Sequence, residues 1–354
     1  MKKILFEAHN SNMSTGFGQF NYHLLKGLFN IKYNNSKIIV HTDTISKFKK
    51  EFKNFFGYKY YWGMYRYEQF RISKKYDVWH SLNQNTKILP KRNLPYILTI
   101  HDVNFMEEKS DEENNLKRNK FFEEQLSLAD IIVYISEYSK NQTHKYFDIK
   151  DVPEKIIYNG CTIKNKLKNL VNPGNENRPF FFSIGNFLER KNFLSIVKMM
   201  KHWQDMDLFI GGNLDTPYGE EVISFVESND VKNVILLDKI SEYQKQCYLE
   251  YCEAFLFPSI SEGFGLPLLE AMKFEKPILT STKTCLPEIL GDAGYYFTKF
   301  DAETMKIDVE KALKDFKADP QDKISIMKNK LEFFTWENAA KQYAELYDQL
   351  LNAK

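Results

Sequence analysis

Short apolar runs alternate along this chain with longer stretches whose apolar residues recur at helical spacing. KILFEA (3–8) reads as a buried strand, and FGQFNYHLLKGLF (17–29) follows it as a helix. KIIVHT (37–42), YDVWHSL (76–82), YILTIHD (96–102) and DIIVYIS (130–136) read as further strands, each ending in a polar residue. The stretch 165–179, rich in Asn, Pro and Gly and without periodicity, reads as a linker. A second alternation follows it. FFFSIG (180–185), DLFIGG (207–212), NVILLD (233–238), EAFLFPS (253–259) and PILTS (277–281) are its strands, with helices near 192–203, 217–228, 241–250 and after Gly265. WENAAKQYAELYDQLL (336–351) is one amphipathic helix. Strands alternating with helices predict parallel βαβ units. The fold class is therefore α/β, with two Rossmann-like doubly wound domains in series, 1–168 and 176–335. Ligands bind such sheets beyond the carboxyl ends of the strands, so two facing sheets predict a site in a central cleft between them.

Composition narrows the class. The 354 residues suit two domains of ordinary size, and 43% apolar residues are ample for their cores. A net charge of +2 gives no global case for a nucleic-acid partner. The four cysteines, Cys161, Cys247, Cys252 and Cys285, form no CxxC pair and no Cys/His set with zinc spacing. They read as reduced thiols of a cytoplasmic protein, with no metal expected. The start, MKKILFEAHN, has too short an apolar core for a signal peptide. No stretch approaches the roughly 20 apolar residues of a membrane-spanning helix, so any membrane contact is expected to be peripheral.

The richest stretch is SISEGFGLPLLEAM (259–272). Glu262 precedes a Gly263-Phe264-Gly265 turn, and Glu270 follows eight positions after the first acid, inside the helix that begins at Leu266. Backbone N–H groups at a helix start favour an anion such as a diphosphate. A carboxylate that accepts from two neighbouring hydroxyls suits a sugar or a ribose. A phosphate cradle between two such acids fits a sugar nucleotide. The same pattern, alone, also fits a strand, turn and helix with two solvated acids.

This stretch resembles the Glu-x(7)-Glu signature of retaining GT-B glycosyltransferases of the large family 4, and other motifs follow the family's order over nearly the whole chain. The resemblance implies that Glu262 contacts the donor sugar and Glu270 the ribose, beside Gly263, Phe264, Gly265 and Leu266. SIGNFLERKN (183–192) resembles the stretch that supplies the diphosphate-binding pair, here Arg190 and Lys191. One version of that stretch has Arg just after the glycine, where this chain has Asn186; the chain follows the version ending RKN, in which Lys191 is the firmer counterpart. Without the family, a basic pair after a strand also fits a solvated surface. SNMSTGFGQF (11–20) resembles the glycine loop of the N-terminal domain, with Gly16 and Gly18 letting acceptor and donor phosphate come close. LTIHDV (98–103) places His101 at a strand end; the family's histidine there contacts the donor sugar, whereas a lone histidine also fits a structural role. Pro287 and Glu288 resemble residues that pack beside the nucleotide pocket. The helix in 336–354 resembles the one that crosses back to the N-terminal domain.

The implied activity is metal-independent hexosyl transfer from a nucleoside diphosphate sugar, with no cofactor, to a glycan or lipid-linked glycan acceptor. GDP-mannose is the implied donor of first choice, and growth of lipopolysaccharide, O-antigen or capsule the implied setting. His101, Glu262, Lys191 and Arg190 would carry the chemistry. A sugar-nucleotide epimerase of the same architecture is the enzyme alternative, and a non-catalytic lipid- or glycan-binding protein the other. Residues 47–76 carry nine Lys/Arg against two Glu, with aromatics throughout. They suit an anionic membrane face, sugar stacking or single-stranded nucleic acid, and equally a partly buried helical hairpin with a solvated basic face. Their place in the acceptor domain favours a lipid-linked acceptor at the inner face of the plasma membrane.

Overall fold

The apolar runs become the inner strands of two parallel sheets. The structure is a computed structural model and describes residues 1–9, 11–12, 15–72, 76–91, 94–107, 112–175 and 178–352, the side chains of 112–115 excepted. The chain divides into two compact units: unit 1 is Met1–Thr162 with Phe334–Lys354, and unit 2 is Ile163–Phe333.

In unit 1 the elements run β1 (Lys3–Glu7), α1 (Gly16–Asn30), β2 (Lys37–Thr42), α2 (Ile45–Phe52), β3 (Gly57–Tyr60), β4 (Val78–Ser81), β5 (Tyr96–Ile100), α3 (Glu112–Leu128), β6 (Ile131–Tyr134), α4 (Glu137–Tyr146) and β7 (Glu154–Ile156). Among the described residues these strands form a parallel sheet in the order β3-β2-β1-β4-β5-β6-β7. The direction of winding reverses between β1 and β4. Strands β4, β5 and β6 are buried at every position, as inner strands of a sheet covered on both faces must be. In unit 2, β8 (Phe180–Ile184), α5 (Phe193–Met200), β9 (Asp207–Gly211), α6 (Pro217–Ser228), β10 (Val234–Leu237), α7 (Glu242–Tyr251), β11 (Ala254–Phe257), α8 (Leu266–Lys273), β12 (Ile278–Thr280), α9 (Leu286–Leu290), β13 (Tyr295–Tyr296), α10 (Ala302–Ala318) and α11 (Pro320–Phe333) repeat the plan. The order is β10-β9-β8-β11-β12-β13, again parallel, with the reversal between β8 and β11.

Local sequence explains where the helices start. Thr216 caps α6 by accepting from the Gly219 amide, with Pro217 in the first turn. Ser241 and Gln244 form a reciprocal capping box on α7. The last helix, α12 (Trp336–Asn352), belongs to unit 1 and lies on a face of its sheet through a buried polar chain. Tyr347 Oη and Thr99 Oγ1 lie 2.9 and 2.8 Å from the two ring nitrogens of His80, and Tyr343 Oη is 3.0 Å from Thr99. Burial pushes the His80 imidazole down to about 3, so the ring is neutral and offers one donor and one acceptor.

Residues 47–76 do not form a helical hairpin. They hold most of α2, the edge strand β3 and two short 3-10 turns, Gly63–Arg66 and Glu68–Phe70, while residues 73–75 lie outside the described residues. Phe48, Phe52 and Phe56 face inward, whereas Tyr60, Trp62, Tyr67 and Phe70 are exposed. No helix among the described residues is long and apolar enough to cross a membrane.

Gly18 owes its identity to a close approach within unit 1. A Cβ there would lie 1.9 Å from the Asn12 carbonyl oxygen, while one at Gly16 would meet nothing within 4 Å. Gly18→Ala should therefore cost about 1–3 kcal/mol, and Gly16→Ala less than about 0.5 kcal/mol. Urea denaturation of the two variants checks this, and equal stability of both would refute the packing role of Gly18.

Candidate active site

Unit 2 reverses its winding between β8 and β11, and the loops leaving those two strands carry its charged residues. After β8 a 3-10 turn spans Glu189–Lys191 and ends at Asn192, in the left-handed region at φ 54°. After β11 the loop 258–265 leads into α8. The two loops are stitched together by backbone. The Arg190 carbonyl accepts from the Ile260 amide at 2.8 Å and lies 3.0 Å from Ser259 Oγ. Ser281 Oγ donates to the Ser259 carbonyl at 2.5 Å, and Thr284 Oγ1 accepts from the Glu262 amide at 3.2 Å.

This stitching brings two cations onto one carboxylate. Lys191 Nζ donates to Glu262 Oε1 and sits over the Phe257 ring, 4.9 Å from its centroid. Arg190 Nη1 donates to Glu262 Oε2 at 3.3 Å and to the Ser261 carbonyl at 3.0 Å. Ser259 Oγ is 2.6 Å from Glu262 Oε1. Lys191 and Glu262 are both buried. Burial would raise the Glu262 carboxyl, but Lys191 and then Arg190 more than reverse this and hold it below its ordinary value. Burial lowers the Lys191 ammonium, with Glu262 opposing the shift. The pair is ionised at neutral pH, and two cations against one carboxylate leave an excess of positive charge.

Three residues beyond Glu262, Gly265 caps α8 in a left-handed conformation, φ 91°, which a side chain would strain. Pro267 has no amide hydrogen, and the Leu268 amide donates to the Gly265 carbonyl at 3.0 Å. The amides of Gly265 and Leu266 make no hydrogen bond among the described residues. They are what the helix start offers to an anion. Phe264 is buried, and Gly263 lies in the same loop. Glu270, one turn into α8, is buried and paired: Lys245 Nζ of α7 donates to its Oε1 at 2.8 Å and lies 2.9 Å from Glu242. Burial lowers the Lys245 ammonium, yet Glu270 and then Glu242 outweigh it, so its value is raised.

His101, Gly16 and Gly18 lie in unit 1. The His101 ring is buried against Phe17 and Phe20, with Nε2 2.9 Å from the Leu82 carbonyl oxygen. That contact makes Nε2 the protonated nitrogen, and burial pushes the imidazole down to about 4, so it is neutral. Asp102 Oδ1 accepts from the Asn104 amide at 3.2 Å and so shapes the following loop. Gly16 opens α1. The Gly18 amide is already used by the cap, donating to Thr15 Oγ1 at 3.1 Å. It is therefore not a vacant anion donor.

Residues 167–326 match the family described as glycosyl transferases group 1. This stretch is a glycosyl transferases group 1 domain. An uncharacterised glycosyltransferase of Methanocaldococcus jannaschii is 28% identical over 265 residues, 73% of this chain and 70% of that protein. The O-antigen chain mannosyltransferase RfbU of Salmonella typhimurium is 26% identical over 208 residues, 58% of this chain but only 56% of that protein. The solved structure of HepE from Anabaena, in complex with UDP and glucose, superposes with a TM-score of 0.76 over 99% of this chain and all of that one, at 14% identity. The fold is thus GT-B, built of two Rossmann-like domains.

Several site residues of the glycosyltransferase domain were silent in the sequence. Ser259 and Thr284 fix the Glu262 loop, and Cys285 donates from Sγ to the Glu262 carbonyl at 3.2 Å. Lys245 pairs with Glu270 from a helix with no motif around it. Only Ser259 left a trace, three residues before the acid in SISE.

The ion pair has a pH signature. The folded Glu262 carboxyl lies below the unfolded value of about 4.3. Its stabilisation is therefore full above that value and is lost as pH falls through the folded one. Glu262→Gln leaves Lys191 buried without a counter-charge and should cost about 3–5 kcal/mol at neutral pH. It should also flatten the acid limb of the stability curve below about pH 4. Urea titrations of both proteins from neutral to acid pH measure this; an unchanged acid limb would show that Glu262 is not the titrating partner.

Proposed function

We propose that the protein is a retaining glycosyltransferase that moves a sugar from a nucleoside diphosphate to an acceptor hydroxyl in the assembly of a surface polysaccharide such as O-antigen or capsule. The observation that carries this reading is the Arg190, Lys191 and Glu262 cluster at the switch point of unit 2, beside the open amides of Gly265 and Leu266. Such a cluster suits a diphosphate. The donor's phosphates take over Lys191 and Arg190 from Glu262, and the released carboxylate accepts from hydroxyls of the donor sugar. Glu270, held by Lys245, accepts from the ribose hydroxyls.

In the reaction the bond between the anomeric carbon and the β-phosphate oxygen breaks, and a bond to the acceptor oxygen forms on the same face. The acceptor proton passes to the leaving phosphate. Negative charge grows on the diphosphate as the bond breaks, and Lys191, Arg190 and the two amides stabilise it more in the transition state than before it. These groups supply the charge that a divalent metal supplies elsewhere, so activity should survive chelation. His101 contacts the donor sugar in this reading, as a neutral imidazole. GDP-mannose is the donor of first choice, in keeping with the mannosyltransferase name of the Salmonella relative. The acceptor is a glycan or lipid-linked glycan, and the protein works in the cytoplasm, at the inner face of the plasma membrane.

Calorimetric titration with UDP, GDP, ADP and their sugars, with and without chelator, tests the reading. One nucleotide should bind without metal. Glu270→Ala should weaken that nucleotide about 10- to 100-fold, as expected for lost hydrogen bonds to a charged group. Lys191→Ala should lower turnover about 10²- to 10³-fold with a smaller effect on affinity. Failure of every nucleotide to bind, or wild-type behaviour of both variants, would sink the assignment.

A further inference from the structure

Unit 1 has a switch point of its own, between β1 and β4, and its chemistry is opposite in sign to that of unit 2. Glu7 ends β1 and pairs in register with His41 of β2 on one side and Ser81 of β4 on the other. Register partners in a parallel sheet share a face. Glu7 is fully buried; its Oε1 is 2.5 Å from His9 Nδ1, and its Oε2 has no partner among the described residues. His41 is fully buried, and neither ring nitrogen makes a hydrogen bond there. Asn83, two residues beyond Ser81, is also fully buried, with its Nδ2 unpartnered. Buried polar groups are almost always satisfied in folded proteins. Three such groups left open at the carboxyl end of adjacent strands, where α/β sheets take their ligands, mark a place made for a polar molecule.

The donor and acceptor pattern says which kind. Glu7 Oε2 can only accept, and Asn83 Nδ2 can only donate. Burial first, then Lys59 and His9, push the His41 imidazole down to about 4 against the pull of Glu7, so it is neutral and offers one donor and one acceptor. Sugar hydroxyls, each both donor and acceptor, complement this set. A phosphate does not, because the Glu7 carboxylate repels it. Tyr61 supplies an apolar wall. Its ring stacks on His9 at 4.7 Å and tilts over His41 at 5.5 Å, and Trp62 beside it is exposed. Among these groups the His9 side chain, 12% exposed, and the half-buried Tyr61 lie outermost. Aromatic faces suit the C–H face of a pyranose ring.

We propose that Glu7, His41 and Asn83 form a monosaccharide subsite in unit 1, walled by Tyr61 and oriented through His9, that reads the hydroxyls of one sugar of the acceptor. It rests on the glycosyltransferase reading only for naming that sugar as the acceptor's. The subsite discriminates acceptors by hydroxyl pattern and excludes anionic sugars.

Saturation-transfer NMR on the full chain with free mannose, galactose, rhamnose, N-acetylglucosamine and glucuronic acid tests it, with a nucleotide titration run on the same samples. At least one neutral sugar should take up saturation, and glucuronic acid should not. Glu7→Gln should weaken that sugar at least tenfold. Tyr61→Ala, at a half-buried position outside the strands, should do the same and covers the case in which the Glu7 variant fails to fold. Nucleotide affinity should stay as in the wild type for both. Transfer to no sugar, or sugar binding unchanged in the variants, would show that buried water alone satisfies these groups and would overturn the proposal. Nucleotide binding without sugar binding overturns the subsite and leaves the transferase reading standing; sugar binding without any nucleotide does the reverse.

Discussion

Lys191 and Glu262 are oppositely charged, both buried, and unit 2 is organised around keeping them together. Withdrawing either charge from water is costly, and their mutual attraction repays that cost only with good geometry and further hydrogen bonds. The parallel pairing of β8 with β11 supplies the geometry, since it places two strand ends side by side at the point where the winding reverses. The supporting bonds come from Ser259, Thr284, Ser281 and the Arg190 carbonyl. None of these touches an apolar core, and all are fixed by loops whose ends the sheet already holds. The core beneath them, with Phe181, Phe187, Phe193, Leu208 and Leu256, is what lets the loops be rigid.

The same topology carries opposite chemistry in the two units. In unit 2 the strand ends deliver cations and the following helix offers open amides. In unit 1 the strand ends deliver a carboxylate, and the first helix has its Gly18 amide closed by Thr15. A second phosphate cradle in unit 1 is therefore disfavoured twice over, by charge and by a used donor. The Gly-x-Gly of SNMSTGFGQF looked like the one in SEGFG, but each glycine answers a different need. Gly18 admits the Asn12 carbonyl, and Gly265 holds a left-handed cap.

Much of the fold was legible because inner strands of parallel sheets are continuous apolar runs bounded by polar loops. The strands at 37–42, 96–100 and 131–134 were all visible for that reason. β3 (GYKY) and β7 (EKI) were not: both lie at sheet edges, where one side is solvated and the apolar signal is diluted. α3 was missed because its sequence, EENNLKRNKFFEEQLSL, shows no clear apolar stripe. At the candidate site, Glu262, Glu270, Arg190 and Lys191 carried local patterns and could be named. Their partners could not. Lys191 meets Glu262 across 71 positions of chain, and Lys245 meets Glu270 across 25. Such contacts are set by strand order, which single-sequence periodicity does not report. The cluster at Glu7, His41 and Asn83 was invisible for the same reason, since each residue is an ordinary polar strand end until β1, β2 and β4 are set side by side.

Pairing its cations internally also decides how unit 2 would take up an anion. An unpaired buried Lys191 would relieve its desolvation by losing a proton, and a neutral amine neutralises nothing. Holding Glu262 against it keeps the ammonium charged and in place before any ligand arrives. An incoming diphosphate then exchanges one anionic partner for another rather than paying to charge or order the lysine. The displaced carboxylate is left needing hydrogen-bond donors within the same loop. Sugar hydroxyls next to the diphosphate are the donors that a sugar nucleotide brings with it. One ion pair thus accounts for both halves of such a ligand, and a bare nucleotide, which leaves Glu262 without new donors, is the weaker exchange.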